Sequence, residues 1–116
     1  MVDDNLDAAH TLSLFLRASG HTVEVVYSAL DAIDVATVFI PQVCLLDIGL
    51  PDMDGNELAR RLRVLPGMDG ATLIAATGYG RQQDREQARQ AGFDHYLVKP
   101  LNTVQLGDIL AQTSGD

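Results

Sequence analysis

The sequence predicts an α/β domain built on a parallel sheet. Three observations carry that prediction: apolar runs too short for helices, helix-period segments between them, and Gly or Pro at most junctions. The plainest run is Val43-Cys44-Leu45-Leu46, which ends on Asp47 and is followed by Gly49, Pro51 and Gly55. A run that is apolar on both faces is what a strand covered by helices on both sides requires.

Taken in order, Met1-Val2-Asp3-Asp4-Asn5 reads as the tail of a strand that ends on two acids. Leu6 to Ser19 carries a helical stripe of Leu6, Ala9, Leu12, Phe15 and Leu16, closed by Gly20. Thr22 to Tyr27 is β-branched and partly alternating, a second strand with Glu24 facing out. Ser28 is an N-cap, with Asp31 in the capping-box position, for a helix running to about Phe39 and ended by Pro41. The Val43 run is the third strand.

Asn56 to Arg63 forms the next helix, acidic in its first turn and basic in its last, as the helix dipole favours. Thr72-Leu73-Ile74-Ala75-Ala76 is the fourth strand and ends on Thr77, before Gly78 and Gly80. Arg81 to Ala91 has only Ala88 and Ala91 to bury, which predicts a weakly anchored helix closed by Gly92. Asp94 to Val98 is the fifth strand and ends on Lys99-Pro100. Asn102 or Thr103 starts a last helix with Val104, Leu106, Ile109 and Leu110 as its stripe, and only Thr113 to Asp116 remains.

Composition bounds the function. The 116 residues suffice for one domain, and 47% apolar with 21% charged residues is ordinary for a globular protein. No apolar run approaches the ~18 residues of a membrane span, and no signal peptide is evident. The formal charge of −8 argues against nucleic acid or an anionic membrane as a direct partner. The single Cys44 sits inside a buried strand and reads as an inert core thiol, consistent with a reducing cytoplasm. His10, His21 and His95 lack zinc-ligand spacing.

Polar residues recur at strand ends: Asp3 and Asp4, Asp47, Thr77 and Lys99. Right-handed crossovers place them all on one edge of the sheet, where open α/β sheets hold ligands. Strands lie ~4.8 Å apart, so the fifth is roughly 10 Å from the third, a gap that only a long side chain spans. Lys99, the only lysine beside seven arginines, has that length.

These motifs resemble the receiver domain of bacterial response regulators: the acidic pair Asp3 and Asp4, Asp47 in LLDIGLPDMDG, Thr77 in AATGYG, Tyr96 in DHYLVKP, and Lys99-Pro100. The resemblance covers nearly the whole chain and makes residues 1–116 one receiver domain. It implies a doubly wound (βα)5, flavodoxin-like sheet of strand order 2-1-3-4-5. It also implies that Asp47 accepts a phosphoryl group from a phosphohistidine on a histidine kinase or histidine phosphotransfer protein. The chain would then be a two-component phosphorelay switch rather than an enzyme, with at most slow self-catalysed phosphorylation and dephosphorylation.

Carboxylate nucleophiles form acyl phosphates, but an anionic donor must be screened. Unit charges ~4 Å apart at an effective dielectric of ~20 interact by about 4 kcal/mol, so clustered acids need a cation. Hard oxygen donors with room for phosphate suit Mg²⁺. Asp4 and Asp47 are the expected side-chain ligands, with Asp3 direct or through water, and the carbonyl of Gly49 is the family's third protein ligand. Lys99 would neutralise phosphate charge and Thr77 would donate to a phosphate oxygen. The Lys99-Pro100 bond is usually cis in the family. The resemblance further implies that Thr77 moves inward on phosphorylation and Tyr96 follows, changing the surface of the last two helices and fifth strand.

Simpler readings stand beside these. Asp3-Asp4-Asn5 can merely cap the first helix, and Asp52 and Asp54 read as solvated loop acids. Arg81, Arg85 and Arg89 form a solvated stripe, or a face for an acidic partner or a second copy of the chain. A haloacid-dehalogenase-like phosphatase also uses a strand-end Asp, a Thr and a Lys, but needs a second acid where Gly49 stands. A flavodoxin-like flavin carrier needs a phosphate-cradling loop where Asp3 and Asp4 stand. A constitutive interaction module is the remaining alternative.

One departure matters. Receivers have several apolar residues before the acidic pair, whereas only Met1 and Val2 stand here, a truncated first strand. The expectation is an exposed apolar slot beside that stub, with reduced stability relieved by self-association.

Overall fold

The computed structural model describes residues 1–3, 5–50, 52–78 and 82–114. Its helices are α1 (Leu6–Ala18), α2 (Ala29–Val38), α3 (Gly55–Arg63), α4 (Gln82–Ala91) and α5 (Thr103–Ser114), and its strands are β1 (Val43–Asp47), β2 (Thr72–Thr77) and β3 (His95–Val98). The strands are parallel in the order β1-β2-β3, with Asp47 opposite Ala76 and Thr77 opposite Val98.

The first two expected strands are corrected by this arrangement. Val2 makes isolated parallel bridges to Val26 and to Leu46, and neither flanking segment extends into a strand. Val2 N–H donates to Leu45 O at 2.8 Å and Asp47 N–H donates to Val2 O at 2.9 Å. On the other side Val26 N–H donates to Met1 O and Asp3 N–H to Val26 O. Residues 22–25 form no strand despite their β propensity, and Val26 carries the bridge of that segment. The Met1 ammonium donates to Glu24 O at 2.8 Å, and burial holds its pKa below the ordinary value.

Helices cover both faces. Cys44, Leu46, Leu73 and Ala75 pack with Ala32 and Ala36 of α2, Leu58 and Leu62 of α3, and Ala88 and Ala91 of α4. Leu45, Ile74, Ala76 and Leu97 pack with Leu16 of α1 and Leu106, Ile109 and Leu110 of α5. This two-sided cover is why the strands carry apolar runs without alternation. Cys44 is buried, and desolvation pushes its thiol up to about 11.

Two helix stripes differ from expectation. The buried face of α1 is Ala9, Ser13 and Leu16, while Leu6 and Phe15 face outward; in α5, Val104 faces outward. Apolar residues lie on more than one side of α1, so periodicity alone did not choose its buried face.

The caps follow local chemistry. Asn5 accepts from Ala8 N–H and caps α1, Ser28 accepts from Asp31 N–H and caps α2, and Asn102 accepts from Val104 and Gln105 N–H at the start of α5. Asp54 is not merely solvated: its carboxylate caps α3 by accepting from Asn56 N–H at 2.7 Å.

Asp52 is a second correction. Although exposed, it accepts from Ala29 N–H at 3.1 Å and Leu30 N–H at 3.2 Å, so the loop after β1 is tied to the first turn of α2. Those bonds, the one from Ala29 foremost, lower its pKa below the ordinary 3.8. Its contribution is therefore complete above that value and is lost as pH falls through the lower folded-state pKa. Asp52→Ala is expected to lower the thermal midpoint at neutral pH and to make its acid fall shallower, as a series of melts from about pH 6 to about pH 2 measures; equal loss at every pH would contradict this.

Gly55 does more than end a loop. A Cβ there would meet Ile48 Cα at 2.5 Å and Asp47 O at 3.0 Å, both backbone, so α3 seats directly on the end of β1. Gly55→Ala is expected to cost about 1–3 kcal/mol, read as a lower urea midpoint.

Candidate functional site

The carboxyl ends of the strands converge on a small charged site. β1 delivers Asp47, whose Oδ1 accepts from Gly49 N–H at 2.9 Å as the chain turns away from the sheet. The residue after β3 is Lys99, and its Nζ lies 3.1 Å from Asp47 Oδ2 and 3.5 Å from Asp3 Oδ2. Asp3 follows the bridging Val2, and its other oxygen accepts from Asn5 N–H at 2.9 Å. Lysine thus crosses the width of β2 to reach two acids from neighbouring segments.

β2 ends at Thr77, which is buried, and Lys99 N–H donates to the Thr77 carbonyl at 2.7 Å. This bond joins the threonine backbone to the lysine backbone, so the two strand ends are held in register. The Lys99-Pro100 peptide is cis, as expected. Tyr96 is half-buried against the α2–α4 side of the core, with the Arg85 guanidinium 5.0 Å from its ring centre, a cation–π contact. Arg85 therefore belongs to more than a solvated stripe, while Arg89 pairs with Glu86 on its own helix.

The electrostatics leave the site short of positive charge. Burial raises the Asp3 pKa and the nearby Asp47 adds to it, against the opposing pull of Asn5 N–H and Lys99. For Lys99 burial pulls down, but the hydrogen bond and charge of Asp47, with Asp3 behind it, hold the ammonium above its ordinary value. One ammonium is shared by two carboxylates, and Asp3 remains under-neutralised.

The structure brings together Asp3, Asp47, Gly49, Thr77 and Lys99 at one sheet edge. Asp4, Pro51, Gly80 and Arg81 lie outside the described residues. Among the described residues no group of three or more His, Cys, Asp or Glu is placed to hold a metal ion. The donors that are placed, two carboxylates beside a loop backbone, are hard oxygens of net negative charge, a set that fits a hard divalent cation.

Sequence reading missed Arg63. Its guanidinium donates to Gly92 O at 2.7 Å, to Ala71 O, and to Asp94 Oδ2 at 2.7 Å, while the same Asp94 oxygen accepts from Leu73 N–H at 2.9 Å. One side chain at the end of α3 thus closes the loops entering β2 and β3. The only signal was an arginine in the last turn, where the helix dipole already accounted for it.

A doubly wound sheet whose carboxyl edge gathers acids, a threonine and a lysine places its polar groups where the α/β domains of this class hold their ligands. The particular family is shown by comparison: the chain belongs to the response regulator receiver domains, whose family model matches residues 1–111. It is 28% identical over 116 residues to the polar-differentiation response regulator DivK of Brucella ovis, covering all of this chain and 94% of DivK. The receiver domain of the sensor histidine kinase PA1611 from Pseudomonas aeruginosa superposes with a TM-score of 0.89 at 31% identity, covering 99% of this chain and 94% of that one, and has a magnesium ion coordinated in its active-site cleft. A Burkholderia pseudomallei response regulator with a phosphorylated aspartic acid and a calcium ion superposes with a TM-score of 0.83 at 29% identity, covering 95% of this chain and 62% of that one. Among the described residues, no helix is long and apolar enough to cross a membrane.

Proposed function

We propose that Asp47 is the phosphoacceptor of a cytoplasmic two-component phosphorelay, taking a phosphoryl group from a phosphohistidine on a histidine kinase or histidine phosphotransfer protein. The observation that carries this reading is the shared contact of Lys99 Nζ with Asp47 Oδ2 and Asp3 Oδ2 at the carboxyl edge of the sheet. A carboxylate oxygen of Asp47 attacks phosphorus; the O–P bond forms as the P–N bond breaks, and the imidazole leaves. The Gly49 N–H on the other oxygen holds the carboxylate in its plane.

Asp4 and Asp47, with Asp3 directly or through water and the Gly49 carbonyl, would hold Mg²⁺, which would supply the positive charge that lets an anionic donor approach. Lys99 exchanges Asp47 oxygen for phosphate oxygen, and the Thr77 hydroxyl donates to a second phosphate oxygen. These residues stabilise charge and supply no dedicated base, so unaided phosphorylation and hydrolysis are slow.

The Lys99–Thr77 backbone bond gives the new charge a route to the loop after β2. Inward movement of Thr77 draws in Tyr96, which loosens its contact with Arg85 and re-sets the α4–β3–α5 surface as a two-state bias.

Incubation with acetyl phosphate and Mg²⁺ tests the reading by intact mass. The expected result is one phosphoryl adduct on the native chain, absent from Asp47→Asn and lost with chelator. An adduct that persists in Asp47→Asn would place the acceptor elsewhere.

A further inference from the structure

Helix α4 is held unevenly along its length. Its buried side chains, Ala88 and Ala91, lie in its second half, and just beyond it the Arg63 guanidinium donates to Gly92 O at 2.7 Å. The first half is polar and largely exposed, and there Arg85 reaches the sheet, its guanidinium 5.0 Å from the Tyr96 ring centre. Arg85 stands three residues before Ala88, so the two share the helix face turned toward the sheet.

The neighbouring arginines behave differently. Arg60 and Arg61 pair with Glu57, Arg63 with Asp94 and Arg89 with Glu86. Arg85 has acids at its sequence neighbours Asp84 and Glu86, but adjacent side chains on a helix diverge, and its guanidinium covers an aromatic face. Tyr96 stands opposite Ala75 in the β2–β3 ladder, and Thr77, two residues further along β2, shares that face of the sheet. The ring therefore lies under Arg85 and on the same sheet face as the threonine that the phosphoryl group engages.

We propose that Arg85 is a positioning residue for the switch: its contact with Tyr96 latches the first half of α4 to β3 in the unphosphorylated chain and sets how readily the chain passes to the phosphorylated arrangement. This rests on the phosphoacceptor reading above and names the side chain that opposes the transition. Movement of Tyr96 toward Thr77 draws the ring from under the guanidinium, so the contact counts wholly for the resting state. Release loosens the first half of α4 while Ala88, Ala91 and the Arg63 bond hold the other end, so the helix pivots near Gly92 rather than shifting as a body. A cation–π contact at an exposed position corresponds to a bias of about 2–5-fold toward the resting state.

The test titrates the chain with beryllofluoride, a phosphoryl mimic that is not transferred, in the presence of Mg²⁺ and follows the Tyr96 ring by NMR. Arg85→Met keeps the apolar stem and removes the cation. It is expected to bind beryllofluoride about 2–5-fold more tightly, to shift the Tyr96 ring resonances before any is added, and to speed amide exchange at Glu86 and Gln87 but not at Phe93. Arg85→Lys should fall between native and Arg85→Met. With Tyr96→Leu in place, Arg85→Met should leave the affinity unchanged, which separates the latch from a general effect of charge. Equal affinities for native and Arg85→Met, or the same gain in the Tyr96→Leu background, would overturn the proposal alone. A native chain that binds no beryllofluoride and gains no adduct at Asp47 would overturn the phosphoacceptor reading, and the latch with it.

Discussion

Lys99→Met is expected to slow phosphorylation of the chain by acetyl phosphate by about 10²-fold or more, while leaving the fold intact. The Lys99 ammonium lies 3.1 Å from Asp47 and 3.5 Å from Asp3, and methionine keeps most of the apolar stem without the charge. Asp3 and Asp47 then face each other with no ammonium between them. The second expected result is opposite in sign to a general loss of function: affinity for Mg²⁺ rises, because a competitor for the same oxygens is gone. Single-turnover mass measurements give the first quantity and titration calorimetry the second. A variant phosphorylated at the native rate would remove Lys99 from the proposed chemistry.

Arg63→Ala is expected to be the most damaging substitution for stability, at about 2–4 kcal/mol, or a fall of about 10 °C or more in thermal midpoint. The guanidinium holds the carbonyls of Ala71 and Gly92 and the carboxylate of Asp94, on the two loops that feed β2 and β3. Alanine leaves those acceptors without their charged donor and opens space beside Gly92, whose φ of +112 and close approach to Arg63 Cγ leave no room for a side chain there. Arg63→Lys should recover little, since one ammonium cannot replace a planar fork directed at three acceptors. Pairing Arg63→Ala with Asp94→Ala in a double-mutant cycle should show strong coupling, because both changes remove the same junction. A melt within about 3 °C of native for Arg63→Ala would refute this account.

Both residues lie outside any helix stripe or strand run, and they mark how far local reading extends. Element type was legible where the chain carried its own signal. Ser28 and Asn102 announced helix starts, Gly92 announced a helix end, and the double-sided apolar runs announced β1 and β2. The strand-end residues Asp47, Thr77 and Lys99 were legible for the same reason, since a polar residue closing a buried run is a local pattern. Asp52 was not, because its partners Ala29 and Leu30 belong to another helix and nothing near position 52 encodes them. Thr22 to Tyr27 had every local mark of a strand and still made only one bridge, because a strand is completed by a neighbour along its length, which no local pattern encodes.

By itself, then, the amino-acid sequence determined the order of helices and the parallel core strands, the α/β class, and the kinds of side chain that close the strands. Backbone propensity, capping and burial pattern act over a few residues, and that range suffices for those features. Tertiary structure alone decided that Lys99 crosses β2 to bind Asp47 and Asp3, and that Arg63 ties two distant loops. Each depends on the spacing and registry of segments far apart in the chain, and those distances exist only once the sheet has closed.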